Sequence, residues 1–330
     1  MEIQELLNRY AAGERDFRKV NLIGAKLLRA DLRAVDLAGA SLAGANLSRA
    51  RLEDADLTGA FLYGCTLTYA HLGRGQLREA DLTKANLAGA FLVRADLTGV
   101  KLSGAVLRGV NLRSADLGGV NLCGANLSGV NLRSADLSGA NLSWANLSRA
   151  RLSGAALGRA RLTGADLSDA HLVEVDLAGM DLDGINFARA NLRRVNLRDA
   201  DLTAANLSEA DLRGADLENA TLHGTNLTGA LLAGCNLNGA TLMRANLSGA
   251  NLVRSTLDGA NLNLAALEGA DLRRADLQNA YLWKADLAGA DLSGARLRGA
   301  SFRGATLDGA NLKDAVLVGA TLPDGAVAEV

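Results

Sequence analysis

Aromatic side chains are nearly missing from this 330-residue chain: Phe, Trp and Tyr together make up 3%. An ordinary core leans on aromatic rings, so the 49% apolar content must come from leucine and alanine. Proline is confined to Pro323, and with 37 glycines the composition matches neither collagen nor a disordered linker. The three cysteines, Cys65, Cys123 and Cys235, share no metal or redox spacing. The net charge of −1 excludes a strongly basic nucleic-acid binder and a strongly acidic tail alike. No apolar run approaches the ~18–20 residues that cross a bilayer. The opening MEIQELLNRYAAGERDF is charged throughout, so no signal-peptide core is expected and the expected location is cytoplasmic.

What the chain has instead is a repeat. From Phe17 to Leu322 every fifth residue is Leu or Phe, 62 positions without a break. Two residues before each lies a second near-constant site. Of the 61 such sites from 20 to 320, 46 are Ala and the rest are uncharged. A period of five fits neither an α-helix, where it spirals round all sides, nor a straight strand, where it alternates faces. It fits a chain that turns a corner every five residues, with Ala and Leu facing inward together. Of the 37 glycines, 31 sit at the second position after the Leu, where a tight corner favours positive φ.

Four corners close a square of 20 residues, and the polar positions support that period independently. Eighteen Asp directly precede the Leu or Phe, nine of them in one 20-residue class (Asp16, Asp36, Asp56, Asp96, Asp116, Asp136, Asp176, Asp216, Asp276). Asn gathers in the class offset by ten, as in Asn46, Asn86, Asn186 and Asn206. Units such as ADLTG at 55–59, ANLSG at 125–129 and ADLSG at 135–139 resemble pentapeptide-repeat proteins. The opening ELLNRYAAGERDF and closing LPDG look like the ends of cyanobacterial members. The resemblance implies an all-β, right-handed quadrilateral β-helix of about 15 coils with Leu and Ala filling its interior. The expected organisation is an N-terminal helical cap over 1–15, with a helix at 2–12, the β-helix over 16–322 and a C-terminal tail over 323–330.

Candidate chemistry is sparse. His71 and His171 lie five coils apart on one face, roughly 24 Å by the sheet spacing, and His223 lies on another. Glycine never occurs as GxGxxG opening a helix. The expectation is no enzyme, no cofactor and no metal site. Charge is sorted by face instead. The face around Leu37, Leu57 and Leu97 sums to −6, and the face before it, around Leu32, Leu52 and Leu112, sums to +6. Arg113 with Asp116, and Arg133 with Asp136, are expected to neutralise each other across that edge. Outward aromatics group twice, at Phe61, Tyr63 and Tyr69, and at Tyr281 and Trp283 beside Leu264.

These features define the candidate partner surface: Leu264, Tyr281, Trp283, Asp96, Asp116, Asp136, Arg113 and Arg133. The expected function is a non-enzymatic interaction or scaffold solenoid with a protein partner, able to meet a second copy end to end, with neither direct nucleic-acid binding nor membrane contact. Some pentapeptide-repeat proteins mimic DNA and occupy the DNA site of gyrase. The resemblance therefore implies, as the alternative, a DNA-mimicking regulator of gyrase or another topoisomerase, read through the acidic face.

Overall fold

A computed structural model describes residues 1–329. It divides into two compact units, Met1–Ala165 and Asp166–Val330, each described by itself. The one helix among the described residues, α1 (Ile3–Ala11), matches the spacing of Ile3, Leu6, Leu7 and Tyr10. Leu6 is fully buried beneath it. Gly13, at φ +100°, ends the helix by donating its amide to the Tyr10 carbonyl at 3.0 Å. The Tyr10 hydroxyl donates to the Arg33 carbonyl at 2.8 Å, and the Arg9 guanidinium lies 5.4 Å from the Phe17 ring centroid. These contacts hold α1 against the first repeats.

Elsewhere in each unit the backbone advances by single parallel pairings joining residue i to i+20, spaced five residues apart except between Asp96↔Asp116 and Val106↔Asn126. They run from Asp16↔Asp36 to Asn141↔Arg161 in the first unit and from Asp166↔Asn186 to Ser301↔Thr321 in the second. A rung of twenty residues is therefore the stacking period. No continuous strand runs among the described residues, because a corner interrupts each pairing after one residue.

The amides of one quintet show why the repeat has five residues. Asp56 donates to Val35 O on the rung behind at 2.9 Å, and Leu57 to Gln76 O on the rung ahead at 2.7 Å. Gly59 donates to Arg78 O, again ahead, at 2.8 Å, and Ala60 closes the corner onto Leu57 O at 2.9 Å. That leaves the amide of Thr58, and it donates to Oδ1 of Asp56 at 2.8 Å. All five donors are satisfied, which a packed backbone requires. Asp or Asn before the Leu is thus a corner acceptor, in the manner of an Asx turn. The second corner residue takes left-handed φ throughout. Gly59 sits at +62° with open space around it, so the dihedral alone favours glycine there.

Leu and Ala point inward and are almost all fully buried between rungs. Each buried Leu contributes ~1.5–3 kcal/mol before ordering entropy is set against it. Polar residues at the Ala position find carbonyls: Thr225 Oγ1 donates to Leu202 O at 2.7 Å and Ser255 Oγ to Leu252 O at 2.7 Å. Cys65 and Cys235 are buried there too, and desolvation pushes both thiols up to about 12.

Two places depart from this regularity. In the first unit no backbone hydrogen bond joins 101–105 to 121–125 among the described residues, and a cleft of about 630 Å³ opens there, lined by Lys101, Ser103, Asn121 and the exposed Cys123. At the C-terminal end, Leu307, Leu312 and Leu317 are only half-buried. There the chain turns through Pro323–Gly325 and pairs Thr321 with Val327 antiparallel. The tail expected at 323–330 is described as far as Glu329; Val330 lies outside the described residues. No helix among the described residues is long and apolar enough to cross a membrane.

Candidate functional site

The expected surface residues fall in both units. In the first, Asp96 pairs with Asp116 and Asp116 with Asp136 on successive rungs, so the three carboxylates form one column. Each also serves its own corner. Oδ1 accepts the amide of Thr98 at 3.0 Å, of Gly118 at 2.9 Å and of Ser138 at 2.8 Å. Hydrogen bonds from Ser138 hold the Asp136 carboxyl below the usual range. At Asp96 burial acts to raise the pKa. The Thr98 amide and the Arg78 guanidinium outweigh it, and the net shift is downward. The same column alternates in the second unit, where Asn196 donates to Asp176 at 2.8 Å and Asn236 to Asp216 at 3.0 Å.

Arg113 and Arg133 do not neutralise Asp116 and Asp136, contrary to the sequence expectation. Neither guanidinium forms an ion pair among the described residues; Arg133 Nε donates to Asn131 Oδ1 at 3.3 Å. Residues three apart diverge around a corner. Along the repeat, ion pairs form instead between residues two apart on one face, or eighteen to twenty apart on adjacent rungs, as in Arg78–Asp96 and Arg198–Asp216. Arg213–Asp211 (2.6 Å) and Arg273–Asp271 (2.7 Å) are of the first kind, Arg74–Asp54 (2.6 Å) and Arg189–Asp169 (2.9 Å) of the second. On the basic face, Arg94, Arg113, Arg133 and Arg151 are left without a carboxylate partner among the described residues.

In the second unit, backbone register sets Leu264, Tyr281 and Trp283 on adjacent rungs. Tyr281 pairs with Asn261 on the rung behind, and Leu264 donates its amide to the Trp283 carbonyl at 2.9 Å. The Asn263 side chain accepts the Trp283 amide at 2.8 Å. Tyr281 and Trp283 are 56% and 43% exposed, Leu264 half-buried. Lys284 Nζ stands 4.7 Å from the Trp283 ring. The four quintets that build this face, TLMRA, NLNLA, YLWKA and SFRGA, contain no acidic residue, so Arg244, Lys284 and Arg303 give it a positive rim.

Sequence reasoning missed the side-chain ladders that separate Asn from Asp. Asn186 donates to Asp166 at 2.8 Å, Asn206 to Asn186 at 3.1 Å and Asn226 to Asn206 at 3.3 Å, each Oδ1 of Asn186, Asn206 and Asn226 also accepting its own corner amide. Only a side chain with both donor and acceptor continues such a column. The clustering of Asn in one 20-residue class was the available signal.

The family profile described as Pentapeptide repeats matches residues 16–113, 115–263 and 285–324. The chain is 31% identical to HetL, a pentapeptide repeat protein involved in heterocyst differentiation regulation from the cyanobacterium Nostoc sp. strain PCC 7120. That match covers 99% of this chain and 100% of HetL, with a TM-score of 0.19. Rfr23, from the cyanobacterium Cyanothece 51142, is 26% identical over 49% of this chain and 99% of its own, with a TM-score of 0.17. QnrB1, a plasmid-mediated fluoroquinolone resistance protein, is 21% identical over 51% of this chain and 91% of its own, with a TM-score of 0.34. A search of curated proteins returned no match.

Proposed function

Because the chain belongs to the pentapeptide-repeat family, we propose that it acts as a non-enzymatic interaction scaffold, its rungs wound as a right-handed, four-sided β-helix of about 15 coils. The observation that carries this reading is the exposed pair Tyr281 and Trp283, held in register beside Leu264. Aromatic anchors within a charged rim are the side chains that dominate protein interfaces. The half-buried Leu307, Leu312 and Leu317 support a further contact at the C-terminal rung, where a second copy meets the open end.

The test is affinity capture from the natural host with wild-type chain and with Trp283→Ala, both checked by circular dichroism. A partner retained by the wild type should be lost or weakened at least ~10-fold by the substitution, the scale of a hot spot. If Trp283→Ala leaves every retained protein and the oligomeric state unchanged, this surface is not the interface.

The stacked column Asp96, Asp116 and Asp136 supports the alternative, mimicry of DNA at a topoisomerase. The charge density argues the other way. One carboxylate per rung gives a charge every ~4.8 Å, against one per ~1.7 Å in duplex DNA, and Arg78 already pairs with Asp96. A supercoiling assay with gyrase separates the two: a mimic inhibits or protects, with an effect that weakens as salt rises.

A further inference from the structure

Independently of the Tyr281 surface, the second unit carries an unfilled cationic cleft. At the second corner position of this face, an acid is twice followed by an arginine on the next rung. Glu174 meets Arg194 at 3.1 Å, and Asp54 meets Arg74 through two hydrogen bonds of 2.6 Å in the first unit. Three rungs after Arg194, past Gly214 and Gly234, no acid precedes the arginine, and Arg254 is followed by Arg274. Backbone bonds from Arg254 to Arg273 O at 3.1 Å and from Arg274 to Ser293 O at 3.0 Å keep the two corners in register. Neither guanidinium forms an ion pair among the described residues.

Glycine stands at the same corner on either side, Gly234 before and Gly294 after; the space over Gly234 is open, and the Arg274 side chain leans over Gly294, its Cγ 3.5 Å from where a Cβ would stand. A cleft of about 620 Å³ results, lined by Ala233, Gly234, Val253, Arg254, Arg273 and Arg274. Arg273 is already held by Asp271 through bonds of 2.8 and 2.7 Å, so two of the three positive charges are uncompensated. Two planar N–H forks one rung apart, ~4.8 Å, repel each other. Both line one cleft, and a guanidinium fork can donate to two oxygens of one tetrahedral oxyanion.

We propose that this cleft binds a phosphate-class dianion between Arg254 and Arg274, either as a free ion or as the phosphoryl group of a modified partner. The test is isothermal titration of the full chain at low ionic strength with inorganic phosphate, with a phosphoserine peptide, and with the unphosphorylated peptide. One saturable phosphate site is expected. Arg254→Gln or Arg274→Gln should each weaken it ~10-fold, the worth of a charged hydrogen bond. The double variant should abolish it, and Arg94→Gln, an unpaired arginine at the same corner position in the first unit, should leave it unchanged. Arg254→Lys with Arg274→Lys preserves the charge and removes the forks, and should also bind less tightly. A phosphopeptide that binds more tightly than the ion identifies a modified partner as the source; equal binding identifies the ion. The proposal is overturned if phosphate gives no saturable binding, if the double Gln variant binds as well as the wild type, or if the unphosphorylated peptide binds as tightly as its phosphorylated form.

Discussion

At the residue scale, the corner acceptor explains why Asp and Asn are the commonest residues before the Leu. Asp56 takes the one amide of its quintet that neither ladder nor corner reaches, that of Thr58. Asn does the same at Asn146, accepting from Ser148 at 3.0 Å. Asp56→Ala should therefore lower stability by ~1 kcal/mol, read from the urea midpoint, while Asp56→Asn should stay within ~0.5 kcal/mol of wild type. Equal loss in both variants would show that charge, not acceptance, is what the position needs. Aromatic corner residues obey a second local rule. The rings of Tyr69 and Trp144 lie over Gly89 and Gly164, one rung on, in space that a Cβ at either glycine would enter at 2.5 Å. That pairing is invisible in a five-residue pattern, because the two residues are twenty apart.

At the scale of the element, a rung is held by its neighbours, since its own amides mostly leave it. Stability is then local, as in other stacked repeats. The stretch where 101–105 and 121–125 share no backbone hydrogen bond is the weak point of the first unit. Amide exchange of Leu102 and Asn121 should run roughly tenfold or more faster than that of Leu57 and Gly59, which donate to the rung ahead. Equal protection would mean that the ladder is continuous in solution. The sequence around these residues, VKLSGA and VNLCGA, keeps the repeat intact. The interruption was therefore illegible beforehand: separation between rungs depends on how both sides stack, and neither quintet encodes that alone.

At the scale of the whole molecule, carboxylates with lowered pKa values set the response to acid. The Asp16 carboxyl is held at about 2, chiefly by the side chain of Arg18. Asp31, Asp54, Asp211 and Asp271 are lowered mainly by Arg33, Arg74, Arg213 and Arg273, and Asp81 and Asp136 mainly by the hydroxyls of Thr83 and Ser138. A folded pKa below the unfolded value means that the folded state binds fewer protons, so stability rises with pH across that interval. The contribution is complete above the unfolded aspartate value of ~3.9 and is lost as pH falls through the folded values, toward about 2 for Asp16. Melting temperature should be flat from neutrality to about pH 5 and should fall between there and pH 2. A melting temperature unchanged over that lower range would rule these carboxylates out as contributors.

The unbroken series from Phe17 to Leu322 determined by itself the corner, the inward pair of Leu and Ala and the twenty-residue period, because those follow from steric fit and backbone accounting inside each quintet. Which arginine meets which carboxylate was decided only in three dimensions: among the described residues Arg74 pairs with Asp54, while Arg113, Arg254 and Arg274 form no ion pair. An ion pair depends on the direction of two flexible side chains across adjacent rungs, and spacing along one chain does not specify that direction.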